Sequence, residues 1–215
     1  MGQETPDADV RVVGAVKVAT PRRILTVALV AGVLGAAASL LRSGLGPLWR
    51  SESSQRVLQG AMDAAAPAPP HGVTVARRGT VIPALVLPAL DGASVQLPQA
   101  YAGRPMLINF WASWCQPCVE EMPELNRYSS QQGNAGVQVI GIALDDPIAV
   151  EAFLRRIPVR YPILLDTAGP ADSSVRLGNS RGVLPYSVLV GPDGRVRKQR
   201  IGPFDPGEID DWATP

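Results

Sequence analysis

The longest uninterrupted apolar stretch runs from Ile24 to Leu41 (ILTVALVAGVLGAAASLL), eighteen residues without a charge. As a helix it would extend about 27 Å, close to the thickness of a hydrocarbon core. The pattern predicts a membrane segment. Basic residues within about twenty positions number four ahead (Arg11, Lys17, Arg22, Arg23) and three behind (Arg42, Arg50, Arg56), so charge barely selects an orientation. A cleaved signal peptide competes with an anchor, because Gly35, Ala36, Ala37 and Ala38 offer small residues for cleavage and Arg22-Arg23 could belong to a twin-arginine signal. The preceding region of 23 residues is long for a signal and the apolar run exceeds the usual h-region, which favours an uncleaved anchor. A buried core helix would need apolar neighbours on every side, and the flanks are polar or proline-rich.

Beyond Leu41 the apolar pattern dissolves into Ser, Gln, Ala and Pro, ending in Ala66-Pro67-Ala68-Pro69-Pro70. Residues 42–72 therefore read as an extended, semi-rigid linker, with a short helix predicted over Val57 to Ala66. His71 follows the prolines with nothing nearby to orient it, and takes no role. Residues 1–23 become a cytoplasmic tail, 24–41 the anchor or uncleaved signal, and 73–215 the folded domain.

From Val73 the pattern is that of an α/β domain. Leu85, Leu87 and Val95, Leu97 flank Asp91-Gly92, a hairpin signal, with Pro83 and Pro88 confining the first strand to an edge. Met106 to Trp111 (MLINFW) is a short apolar run suited to a central strand. A helix from about Cys115 to Ser130, a strand from Val137 to Ala143, a helix from Ile148 to Ile157 and a strand from Ile163 to Leu165 follow. That alternation implies parallel pairing. Tyr186 to Val190 and Arg195 to Ile201, joined by Gly191-Pro192-Asp193-Gly194, form an antiparallel hairpin instead. Asp205 is placed to cap a short closing helix through Pro206 and Glu208, and Asp145, Asp146 and Pro147 read as a turn and N-cap.

Composition narrows the function classes. Twenty basic against nineteen acidic residues leave a net charge of +1, so no cationic field exists to hold nucleic acid. Two cysteines and one histidine cannot build a disulfide framework or a complete zinc site.

The two cysteines lie together, in Trp114-Cys115-Gln116-Pro117-Cys118, where the apolar strand ends and a helix begins. Side chains three apart on a helix have Cβ atoms about 5–6 Å apart, so a small adjustment of the first turn closes a disulfide that can open again. Cys115, at the helix N-terminus, faces unpaired amides and the positive dipole end, which favour its thiolate and make it the attacking group. Cys118, one turn deeper, would resolve the mixed disulfide. Pro117 preorganises the helix start and Trp114 covers one side of the sulfur. A purely structural bridge is a poor reason for so short a loop, since loop entropy grows with length.

The segment Asn109 to Pro123 (NFWASWCQPCVEEMP) resembles the active-site segment of membrane-anchored thioredoxin-like oxidoreductases of the TlpA/ResA type, and the likeness runs from about Gly79 to Phe204. The resemblance implies a thioredoxin-like α/β fold: a mixed central sheet flanked by helices, with an extra helix and strand inserted between about Val137 and Leu165. Pro123 matches the proline that kinks the first helix, and Leu184-Pro185 matches the cis-proline loop opposite the disulfide, where the Leu184 backbone would pair with an extended substrate segment. Thioredoxins themselves carry a buried aspartate at the place of Asn109, which cannot accept a proton. Glu121 occupies the place of the glutamate that the TlpA/ResA type uses near its disulfide, and burial would raise its pKa toward the working range. Glu120 and Glu124 read as solvated helix residues.

The expected activity is thiol:disulfide exchange by an enzyme tethered on the periplasmic side of the bacterial inner membrane, reducing protein disulfides with no cofactor beyond the redox-active Cys115-Cys118 pair. A transmembrane thiol donor of the DsbD/CcdA kind, with substrates in cytochrome c maturation or copper-centre assembly, is what the resemblance implies. A disulfide-forming oxidase is the alternative within the same chemistry. A copper-binding module using both cysteines with Met106 or Met122 is the non-enzymatic one. A peroxidase fits less well, because no Thr-x-x-Cys precedes the nucleophile.

Overall fold

The computed structural model describes residues 51–214 apart from Pro67 and Pro69. The predicted tail and membrane segment lie outside the described residues, among which no helix is long and apolar enough to cross a membrane. The chain opens with helix α1 (Glu52–Ala65) and the hairpin of β1 (Leu85–Pro88) and β2 (Ser94–Leu97), followed by a 3₁₀ turn (Gln99–Tyr101). Strand β3 (Met106–Trp111), helix α2 (Gln116–Gln131), strand β4 (Gln138–Leu144), helix α3 (Pro147–Arg156) and strand β5 (Ile163–Asp166) come next. Helix α4 (Ser173–Arg176), strands β6 (Tyr186–Val190) and β7 (Val196–Ile201) and helix α5 (Glu208–Trp212) complete the order.

Five strands form one sheet in the order β5-β4-β3-β6-β7, with β3, β4 and β5 parallel and β6 and β7 antiparallel to their neighbours. The apolar run of β3 explains its central place. All six of its side chains are buried, because both faces of the sheet are covered. Leu107 and Trp111 point into one core layer with Met122, Leu125, Phe153 and Trp212 from the three helices α2, α3 and α5. Met106, Ile108 and Phe110 point into the other, where Leu85 and Leu97 of the hairpin and Leu177 pack. The hairpin joins the sheet edge through a bridge between Ala89 and Leu164.

Two sequence expectations need correction, and two short elements were not expected. The segment read as an extended linker carries the 14-residue helix α1, which starts five residues before the predicted Val57 and packs on β7. Its cap is Ser51, whose hydroxyl accepts from the Ser54 N–H at 3.2 Å, and Gln55 is buried against the domain. Tertiary contact, not local propensity, decides the longer helix. The closing helix is capped by Gly207 at φ 81°, not by Asp205. The 3₁₀ turn and α4, each one turn or less of helix, had no periodic signal to reveal them.

Candidate active site

The chain leaves β3 at Trp111 in mid-sheet and turns upward through Ala112–Trp114 into α2. Asp145, at the end of β4, fixes that turn by accepting from the Ser113 N–H at 2.9 Å and from its hydroxyl at 2.6 Å. Neighbouring Asp146 performs the expected capping, accepting from the Ile148 and Ala149 amides. Cys115 is the N-cap of α2, with extended backbone and no side chain bonded to the helix's first amides. It is joined to Cys118 as a disulfide, S–S 2.05 Å and Cα–Cα 5.3 Å. Both sulfurs belong to the buried layer beneath α2. Pro117 sits in the first turn, where its missing N–H costs nothing. Trp114 is 69% exposed, so it is presented to solvent rather than packed on the domain. Pro123 lies within α2 as expected.

The Leu184-Pro185 bond is cis. Half-buried Leu184 packs on both core layers, including the one that holds Cys115 and Cys118, so the loop and the disulfide share an end of the sheet. Pro185 is buried and its carbonyl accepts from the Gly202 N–H at 2.9 Å. Among the described residues no protein group bonds the Leu184 backbone. A second cis bond, Leu97-Pro98, lies at the end of β2, away from this site.

Beneath Cys118, Glu121 is 1% exposed. One of its carboxylate oxygens accepts from Asn109 Nδ2 at 2.8 Å and the other from the Phe204 N–H at 2.9 Å. The Asn109 amide also donates to Ser187 Oγ at 3.0 Å, spanning β3 and β6. Burial pushes the Glu121 carboxyl up to about 7, against the pull of the two hydrogen bonds and the Arg200 charge. Arg200 is itself 1% exposed, paired with Glu208 at 2.9 Å and stacked over the Phe204 ring at 4.6 Å. It therefore steadies the segment whose amide faces Glu121.

A model of the AhpC/TSA family matches residues 79–199, from before the β1–β2 hairpin into the last strand and including the active-site turn. The chain belongs to the AhpC/TSA family. Within this thioredoxin-like family it is 31% identical over 125 residues to the thiol-disulfide oxidoreductase ResA of Bacillus cereus, covering 58% of this chain and 69% of the relative. The ResA of Bacillus subtilis is 29% identical over 137 residues, covering 63% and 74%. A thioredoxin-related protein from Neisseria meningitidis superposes with a TM-score of 0.52 at 31% identity, covering 58% of this chain and 93% of that one. The family, the fold and the closed Cys115-Cys118 bridge agree, and this family member is a thiol:disulfide oxidoreductase.

Some site features of this AhpC/TSA protein escaped the sequence reading. Glu124 is not solvated: it is 9% exposed, clamped by Arg127 at 2.6 Å and bonded to the Gly207 N–H at 2.8 Å. Arg200 had no local signal: an irregularity of β7, which pairs Val196 with Val190 but Lys198 with Leu189, puts Arg200 on the opposite face of the sheet from buried Val196, against Phe204. Asp145 had none beyond its position at a strand end. Met106 sits at the far start of β3 in the opposite core layer from the cysteines, which removes it from any shared copper site, whereas Met122 packs in the same layer. Among the described residues no cluster of three or more His, Cys, Asp or Glu side chains could hold a metal ion.

Proposed function

We propose that this oxidoreductase is a membrane-tethered reductant of protein disulfides, acting on the periplasmic side, with Cys115 as nucleophile, Cys118 as resolving thiol and Glu121 as the proton acceptor between them. The observation that carries the reading is the Cys115-Cys118 bridge at the start of α2 with the Glu121 carboxyl buried one helical turn beyond Cys118. In the reduced pair, the Cys115 thiolate attacks a substrate disulfide and expels one substrate thiolate, which takes a proton from water. The Cys118 thiol then passes its proton to Glu121 and attacks Cys115, closing the bridge and expelling the second substrate thiolate. Two electrons leave the pair. The Leu184 backbone, unpaired beside the disulfide, supports docking of an extended substrate segment by strand addition, with exposed Trp114 and Pro117 on the same rim.

A pair kept reduced among oxidising surroundings needs electrons from elsewhere, and a transmembrane thiol carrier of the DsbD/CcdA kind is the donor that this chemistry calls for. The apolar run 24–41 supports the tether, and substrates of cytochrome c maturation or copper-centre assembly suit the role. The test uses the full chain in detergent after membrane fractionation. Turnover of insulin or a glutathione mixed disulfide with dithiol supplied is expected, lost in Cys115→Ser, while Cys118→Ala traps the mixed disulfide. Persisting turnover in Cys115→Ser defeats the reading. A reduction potential near thioredoxin's value of about −270 mV supports a reductant, and one near −120 mV turns the reading to an oxidase.

A further inference from the structure

The loop that leads into the Leu184-Pro185 bond is gripped from outside the sheet by α1. The Gln55 amide lays this helix along β7 by pairing with both backbone groups of Ile201, accepting from its N–H at 2.9 Å and donating to its carbonyl at 3.2 Å. One turn on, Gln59 Nε2 donates to the Gly178 carbonyl at 2.6 Å. Another turn on, Asp63 accepts from the Ser180 hydroxyl at 2.7 Å, and Arg181 donates back to the Ala65 carbonyl at 2.6 Å. Residues 55, 59 and 63 fall at i, i+4 and i+8, so one polar stripe of α1 faces the domain.

From the gripped residues the contact passes inward. Asn179, 2% exposed between Gly178 and Ser180, donates to the Val183 carbonyl and accepts from the Val183 N–H, both at 3.0 Å. That two-way bond fixes the residue directly before Leu184. Gly178 adopts φ 102°, and a side chain there would strike Gln199 Nε2, so the loop follows one tight course between α1 and β7. Beside it a cavity of about 740 Å³, lined by Asp63, Ser180, Arg181 and Gln199, stands open. Hydrogen bonds rather than packed apolar side chains hold the outer half of the loop.

We propose that Gln59 and Asp63 are positioning residues for substrate docking: through Gly178, Ser180 and Asn179 they fix where the Leu184 backbone meets the extended segment of a protein substrate. The inference rests on the reading of Leu184-Pro185 as the docking loop. The α1 segment is then part of the recognition apparatus and not merely the link between the N-terminal region and the domain.

The experiment compares full-length wild type with the double variant Gln59→Ala/Asp63→Ala, using insulin as protein substrate and glutathione disulfide as a small one that pairs with no strand. The expected result is a rise of about fivefold in KM for insulin, the scale of one net hydrogen bond. The expectation includes unchanged kcat, unchanged reaction with glutathione disulfide and an unchanged potential of the cysteine couple. Asp63→Asn, which keeps an acceptor for Ser180, should restore the wild-type KM, and Ser180→Ala should reproduce the effect from the loop side without touching the helix. An unchanged insulin KM, or an equal loss with both substrates, overturns the inference. Pro185→Thr separates the two layers. If it raises the insulin KM while the α1 and Ser180 variants do not, positioning by α1 fails and the docking loop stands; if it also leaves KM unchanged, the docking loop fails and the inference with it.

Discussion

Two carboxylates one turn apart on α2 receive the same kind of contact and acquire opposite chemistry. Glu121 accepts the Phe204 amide and Glu124 the Gly207 amide, so both grip the segment between β7 and α5. Glu124 also meets the Arg127 guanidinium at the rim, which holds its carboxyl below the ordinary range. Glu121 lies inward under Cys118 and has only neutral donors in contact, with the Arg200 charge further off, so burial prevails and its carboxyl rises to about 7. A carboxyl at the rim bonded to a cation is thus lowered, while one fully buried among neutral donors is raised, and α2 presents both cases side by side.

Glu121→Gln should break the comparison most strongly. The rate of mixed-disulfide release at neutral pH is expected to fall about a hundredfold, the lower range for loss of a general base, with Cys115 attack little changed. Glu124→Gln should leave both steps within about twofold. Stopped-flow measurement of the two steps separates them, and equal behaviour of the two variants would remove the functional distinction.

The next effect is on stability against pH. The folded Glu121 carboxyl binds its proton more tightly than the unfolded one, so its contribution is fully present below about 4.5 and is lost as pH rises through about 7. A shift of that size corresponds to about 3 kcal/mol across the window. Denaturant titrations of wild type minus Glu121→Gln should show that slope. Glu124 carries the opposite sign, its contribution present above the ordinary carboxylate range and lost as pH falls.

Ser187→Ala removes the second acceptor of the Asn109 amide, at an expected cost of about 1 kcal/mol by chemical denaturation. With Asn109 less firmly held, the midpoint of Glu121 titration, followed by difference infrared spectroscopy of the carboxyl band, should rise. Arg127→Gln should give the smallest change. The Glu124 midpoint moves up, the Glu121 midpoint stays, and disulfide exchange rates are unaltered.

The turn of the Cys-x-x-Cys motif, β3 and the boundaries of α2 were legible because they depend on neighbours in sequence. A six-residue apolar run needs burial on both faces, and a cysteine at a helix start faces free amides wherever the helix packs. The hairpin of β6 and β7 was legible for the same reason, through its turn residues. The burial of Glu124 and Arg200, and the start and packing of α1, were not. The residues concerned are polar by type, and local pattern assigns such residues to solvent.

The amino-acid order alone determined the α/β class and the position of the disulfide, since spacing along a strand and a helix turn sets both. Only the tertiary structure decided which acidic residue of α2 is buried away from any cation in contact, which arginine is buried, and that a segment resembling a spacer folds back on the loop before Leu184. Desolvation and ion pairing depend on what approaches from distant parts of the chain. No local pattern carries that information.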